Sequence, residues 1–130
     1  MHKLLVASLF AILSVLAVAC GSVKAPADTV SSNPVNIKVE TRPAPAVMGD
    51  MEVILTITDA SGSPIEGAQV EVSADHTDMT GMTMGGAATE QGAGRYAINA
   101  NFSMTGNWLL TVYVRKGDLD YKEDIQLTVQ

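Results

Sequence analysis

From residue 35 onward, apolar and polar positions alternate in short runs separated by clusters of turn residues. Ile37 and Val39 alternate with Asn36, Lys38 and Glu40, which predicts a short first strand. Arg42-Pro43-Ala44-Pro45 interrupts it, because proline has no N–H to give to a ladder and marks an edge or crossing segment. Residues 51–58 carry Met51, Val53, Leu55 and Ile57 at odd positions against Glu52, Ile54, Thr56 and Thr58, a period of two with Ile54 as its exception. Residues 59–68 are dense in turn formers. They lead into a third strand at 69–74 with Val70, Val72 and Ala74 inward. After a methionine-rich loop at 75–86, residues 87–91 read as a short edge strand and 92–94 as a turn. Tyr96, Ile98, Ala100 and Phe102 alternate across 95–102, and Trp108, Leu110, Val112 and Val114 share one face of 108–115. Lys116-Gly117-Asp118 makes a tight hairpin into a last strand at 121–129 with Ile125, Leu127 and Val129 inward. Six to seven strands at regular spacing, with no amphipathic helix after Cys20, predict an all-β, immunoglobulin-like antiparallel β-sandwich over residues 35–130.

The first 34 residues follow another pattern. Met1-His2-Lys3 is a short cationic start, residues 4–19 are apolar except for serines, and Cys20 follows. The apolar run is shorter than the roughly 20 residues that span a bilayer, so residues 1–19 read as a signal peptide. Leu16-Ala17-Val18-Ala19-Cys20 resembles the bacterial lipobox, although Ala17 stands where that motif usually has leucine. The resemblance implies acylation of Cys20, whose two or three chains anchor stably where one chain would hold only marginally. Ordinary secretion with a free Cys20 thiol is the plainer alternative. Residues 20–34, rich in serine, alanine and proline, then form a flexible tether. The expected location is extracytoplasmic: the periplasmic side or the surface of a bacterial membrane, held by the lipid on Cys20.

Charge and cysteine content exclude several function classes. Eight Lys and Arg face fourteen Asp and Glu, a net charge of −6, so no basic patch exists to neutralise phosphates and nucleic acid is not an expected partner. Cys20 is the only cysteine, which leaves the sandwich without a disulfide or a thiolate metal site. No serine–histidine pairing, nucleophile elbow or phosphate loop is present, and we expect no enzyme.

Candidate chemistry concentrates in residues 75–86, Asp-His-Thr-Asp-Met-Thr-Gly-Met-Thr-Met-Gly-Gly. Thioether and imidazole are soft donors that suit Cu(I), whereas Cu(II) wants more nitrogen and zinc rarely takes thioether. Met82 and Met84 fall on one side of an extended segment, and His76 and Met79 complete a candidate ligand set if the loop folds back. Met104, at another turn, is a further candidate ligand. Two other readings stay open. Methionine fills irregular gaps, so these side chains can simply plug the end of the sandwich. They can also form an adaptable docking surface for a protein.

Four signals in order, the turn over 59–70, Met79-Thr80-Gly81-Met82-Thr83-Met84, Gly94-Arg95-Tyr96 and Met104-Thr105-Gly106-Asn107-Trp108, resemble the YtkA-like family, which is related to FixH. The likeness runs over roughly residues 35–129, and Thr80 departs from the family's usual proline. It implies an immunoglobulin-like domain outside the cytoplasm, often beside copper-handling or oxidase-assembly proteins, and hence a membrane-protein or copper-protein partner.

Overall fold

In a computed structural model, residues 33–130 are described. The expected signal peptide, Cys20 and most of the tether lie outside them. Eight strands make up the fold: β1 (Val35–Arg42), β2 (Gly49–Asp59), β3 (Gln69–His76), β4 (Thr83–Ala87), β5 (Thr89–Gly92), β6 (Arg95–Phe102), β7 (Gly106–Lys116) and β8 (Leu119–Val129). They form two four-stranded antiparallel sheets in the orders β1-β2-β6-β5 and β4-β3-β7-β8. The expected sandwich is present, and its strand count rises from six or seven to eight. The additional strand is β4, which pairs with β3 from Glu71↔Ala87 to Asp75↔Thr83. The second half of the methionine segment is therefore a strand and not a loop. Glycine is depleted in strands, which is why Gly85-Gly86 reads as loop from sequence. Here Gly85 is required, because a Cβ on it would stand 2.7 Å from the Val72 carbonyl oxygen.

The alternation of β2 and β7 does what its period demands. Met51, Val53, Leu55 and Ile57 from one sheet meet Trp108, Leu110, Val112 and Val114 from the other in a single core, joined by Tyr96 and Phe102. Ile54, the break in the period, lies on the opposite face of β2 and is nevertheless buried. Its cross-strand partners there are Glu40 and Ala97, and Arg42, Ala44 and Arg95 surround it. Long charged side chains cover apolar surface with their stems while keeping their heads in water.

Two ties fix the ends of the sandwich. Pro43 and Pro45 end the β1 ladder, after which the chain crosses to the other sheet: the Gln130 N–H donates to the Ala46 carbonyl at 2.9 Å and the Met48 N–H to the Gln130 carbonyl at 2.8 Å. At the other end, the Tyr96 hydroxyl donates to the Ile65 carbonyl at 2.8 Å and accepts from the Ala68 N–H at 3.1 Å, pinning the 60–68 turn to the core. Among the described residues no helix is long and apolar enough to cross a membrane.

Candidate functional site

His76 is the last residue of β3 and pairs in register with Trp108 of β7. It is buried, at 7% exposure, and not an exposed loop residue. Both ring nitrogens are engaged. The Asp78 N–H donates to Nδ1 at 3.2 Å, so Nδ1 carries no proton and the neutral ring bears its hydrogen on Nε2. That N–H faces the Thr105 carbonyl at 3.0 Å. The ring also meets the Trp108 indole edge to face, with centroids 5.0 Å apart and planes at 82°. A Cβ on Gly106 would sit 2.8 Å from Nε2, and Gly106 has φ of +120°, so the Met104–Trp108 segment needs glycine on two counts.

The turn between β3 and β4 is held to this histidine. The His76 N–H donates to the Met82 carbonyl at 3.2 Å, and Thr77 bonds the Asn107 carbonyl through both its N–H and its hydroxyl. Thr83 donates its hydroxyl to Asp75. Met82 and Met84 both end up half-buried and, with Gly81, Thr83, Asn101, Ser103 and Trp108, line an open pocket of about 220 Å³. Met84 packs against the core as well and borders a second, mainly apolar cavity of about 230 Å³ between the sheets.

The expected ligands are thus divided. Met82, Met84 and Trp108 line one pocket. Met79 lies apart on the turn, 45% exposed. The Met104 side chain packs on the core, and its carbonyl accepts the Trp108 Nε1–H at 3.2 Å. His76 is close to Trp108, but neither nitrogen offers a free lone pair. Among the described residues no group of three or more His, Cys, Asp or Glu converges in a way that could hold a metal. A metal here would therefore need thioether sulfur, which is a soft donor.

Sequence reasoning missed four participants. Trp108 reads from its strand period as core only, and its place against His76 follows from the register of β3 and β7. Asn101 and Ser103 line the pocket because β6 ends beside it. Met48, 57% exposed, emerges at the same end of the sandwich through its bond to Gln130.

No curated protein matches the chain. Among solved structures it is similar to FdeC, described as a novel, broadly conserved Escherichia coli adhesin eliciting protection against urinary tract infections. The identity is 24% and the TM-score 0.49, with 76% of this chain and 32% of that chain covered, so the present chain spans about a third of that one. The family model described as YtkA-like matches residues 29–113, from just before β1 to within β7, and takes in the whole methionine segment, Tyr96 and Trp108. The chain belongs to the YtkA-like family.

Proposed function

We propose that this protein is a lipid-anchored, extracytoplasmic binding module, not an enzyme, that handles Cu(I) through Met82 and Met84, in copper delivery or oxidase assembly. The observation that carries this reading is the shared pocket: Met82 and Met84 line it together with Trp108. Neutral thioethers bind a soft monovalent cation without adding charge, which leaves the ion exchangeable. His76, with both nitrogens engaged, supports the site and does not ligate; Met79, exposed on the adjoining turn, stands where an ion could be received or passed on. The chain's own residues supply the soft donors, the shelter of the pocket and the anchor at Cys20. Copper, when bound, supplies the cargo.

The test is an anaerobic Cu(I) titration of the detergent-solubilised full chain against a chromophoric chelator. About one equivalent should be withheld from the chelator by the wild type and released in Met82→Leu/Met84→Leu. Failure of the wild type to compete at all refutes the copper reading. Anchoring is tested separately: Cys20→Ser should move the protein from the membrane to the soluble fraction and abolish metabolic labelling with palmitate.

A second reading, a protein-interaction module with no metal, is favoured by the exposed Met48 and Met79 at the same end as the pocket. Thioether side chains make adaptable apolar contacts. In that case Met48→Ser/Met79→Ser would abolish co-purification with a membrane partner, and Met82→Leu/Met84→Leu would leave it unchanged.

A further inference from the structure

We infer that the free edge of β6, beside the cavity between the sheets, is a docking site for an extended segment of a partner protein. The segment adds antiparallel to β6, sinks one apolar side chain into the cavity and carries basic residues on either side of it. The inference is independent of the copper reading, since neither Met82 nor His76 enters it.

β6 pairs with β2 along its whole length, from Gly49↔Phe102 to Thr56↔Arg95. On its other side β5 reaches only from Gly92↔Arg95 to Thr89↔Ala97. In an antiparallel ladder a residue turns both its N–H and its C=O to one neighbour, and the next residue turns to the other. The Ile57 N–H donates to the Gly94 carbonyl at 2.8 Å, which sets that alternation for the β2–β6 pair. Tyr96, Ile98 and Ala100 therefore bond β2, whereas Arg95, Ala97, Asn99 and Asn101 face away from it. β5 occupies Arg95 and Ala97. The backbone groups of Asn99 and Asn101 have no partner strand among the described residues. Such an edge is a template for another strand.

The same stretch borders the cavity of about 230 Å³. Val53, Val72, Ala74, Phe102 and Leu110 are its buried walls, and the half-buried Met84, Ile98 and Ala100 line its outer part. Gly85, exposed, adds no side chain there, and the Val72 carbonyl excludes a Cβ on it. An apolar cavity of about 150 Å³ accepts benzene, so this one has room for a leucine or phenylalanine side chain.

The geometry selects the occupant. On an added strand, the residue opposite Ala100 points inward as Ala100 does, and its two neighbours, bonded to Asn99 and Asn101, point outward. On that outer face Asn101 stands opposite Asp50 and Asn99 opposite Glu52 of β2. Glu52 already meets Arg42 at 3.5 Å. Asp50 accepts the Asn101 side-chain N–H at 2.7 Å and is in no ion pair among the described residues. The whole chain carries −6. Basic side chains at the two outward positions complement these carboxylates. Main-chain bonds then give affinity and the alternating side chains give selectivity, as in other cases of strand addition.

The probe is a fluorescein-labelled, end-blocked peptide, Ser-Val-Lys-Leu-Lys-Ser, followed by anisotropy as the full chain in detergent is added. It should bind saturably and slow hydrogen exchange at the Asn99 and Asn101 amides about tenfold or more. N-methylation of both lysine amides removes the donors to β6 and should weaken binding about thirtyfold. Glutamate at both lysine positions should weaken it about tenfold. Ala100→Leu fills the cavity from the β6 side and should abolish binding. Absence of saturable binding overturns the inference, as does equal binding of either altered peptide or by Ala100→Leu. If the wild type is a dimer that the peptide does not dissociate and that Asn99→Pro makes monomeric, a second copy holds this edge and the inference is again overturned. Should Ala100→Leu not fold, the N-methylated peptide on the wild type decides.

Discussion

Replacing Gly106 with alanine probes the packing at the centre of the site. Two costs add. At φ of +120° a side chain is strained whatever the space around it, a penalty of about 1–3 kcal/mol. The new Cβ would also stand 2.8 Å from His76 Nε2, so the imidazole must move. Moving it forfeits its bond to the Thr105 carbonyl, worth about 1 kcal/mol net, and weakens an edge-to-face contact worth about 0.5–1.5 kcal/mol. The total is about 3–5 kcal/mol. For a domain near 100 residues each kcal/mol moves Tm by about 4–8 °C, which places the expected drop at about 12–40 °C. Gly117→Ala is the matched control. Gly117 also has positive φ, +57°, but nothing lies within 4 Å of its added Cβ, so it carries only the backbone cost of about 1–2 kcal/mol. Melts followed by Trp108 emission and far-ultraviolet circular dichroism compare the two. A Gly106→Ala protein melting within about 3 °C of Gly117→Ala would refute the account of His76 as a ring wedged between Gly106 and Trp108.

Three further outcomes follow from particular contacts. Tyr96→Phe removes a buried hydroxyl that serves the Ile65 carbonyl and the Ala68 N–H, and should cost about 1–3 kcal/mol in urea unfolding with an unchanged m-value. Asp59 is held below its ordinary carboxylate pKa, first by the Ser61 hydroxyl and then by backbone N–H groups of the turn. A pKa lower in the folded state than in the unfolded one adds stability above the unfolded value and loses it as pH falls through the folded value. Asp59→Asn should therefore lower Tm at neutral pH and flatten its decline in acid, seen as converging melts below pH 4. Burial pushes the Tyr96 phenol up, with the Glu90 and Glu66 charges adding to it, so the contribution of Tyr96 is intact below the unfolded value and fades in strong alkali. Gly85→Ala drives a Cβ to 2.7 Å from the Val72 carbonyl. It should loosen β4 from β3, raise amide exchange at Met84 and weaken Cu(I) retention without abolishing the fold.

The fold was legible wherever burial on one face imposed a period of two. β2, β6 and β7 have that period, and their inward residues make the core. β4 was not legible, because a strand with two glycines gains its place from close approach to β3 and not from side-chain pattern. The site was legible only as a composition. Sequence spacing shows that Met82 and Met84 share a side, and they do. It gives no information about which residue of another strand they face, since that depends on how β3 and β7 register, where His76 meets Trp108. His76 read as a ligand because imidazole is a good one. Its actual state follows from two backbone groups, Asp78 N–H and Thr105 C=O, that no pattern of residue types encodes.

The placement of the methionines argues against a pure plug. Of the chain's seven, Met51 is in the core and does what a filler does. Met48, Met79, Met82 and Met104 lie on connections at a single end of the sandwich, and Met84 enters β4 from that end. A filler is selected for the surface it buries, yet Met48 and Met79 leave about half of theirs in water. What the five positions share is an unbranched thioether, polarizable and uncharged, and Asp50, Asp75 and Asp78 belong to the strand ends and turn at the same end. Among the described residues neither Asp75 nor Asp78 is spent on an ion pair. On the copper reading proposed above, carboxylates at this end draw cations in at long range and the thioethers select soft ones at contact. On that reading the exposed and the buried methionines at this end have separate parts, receiving an ion and retaining it.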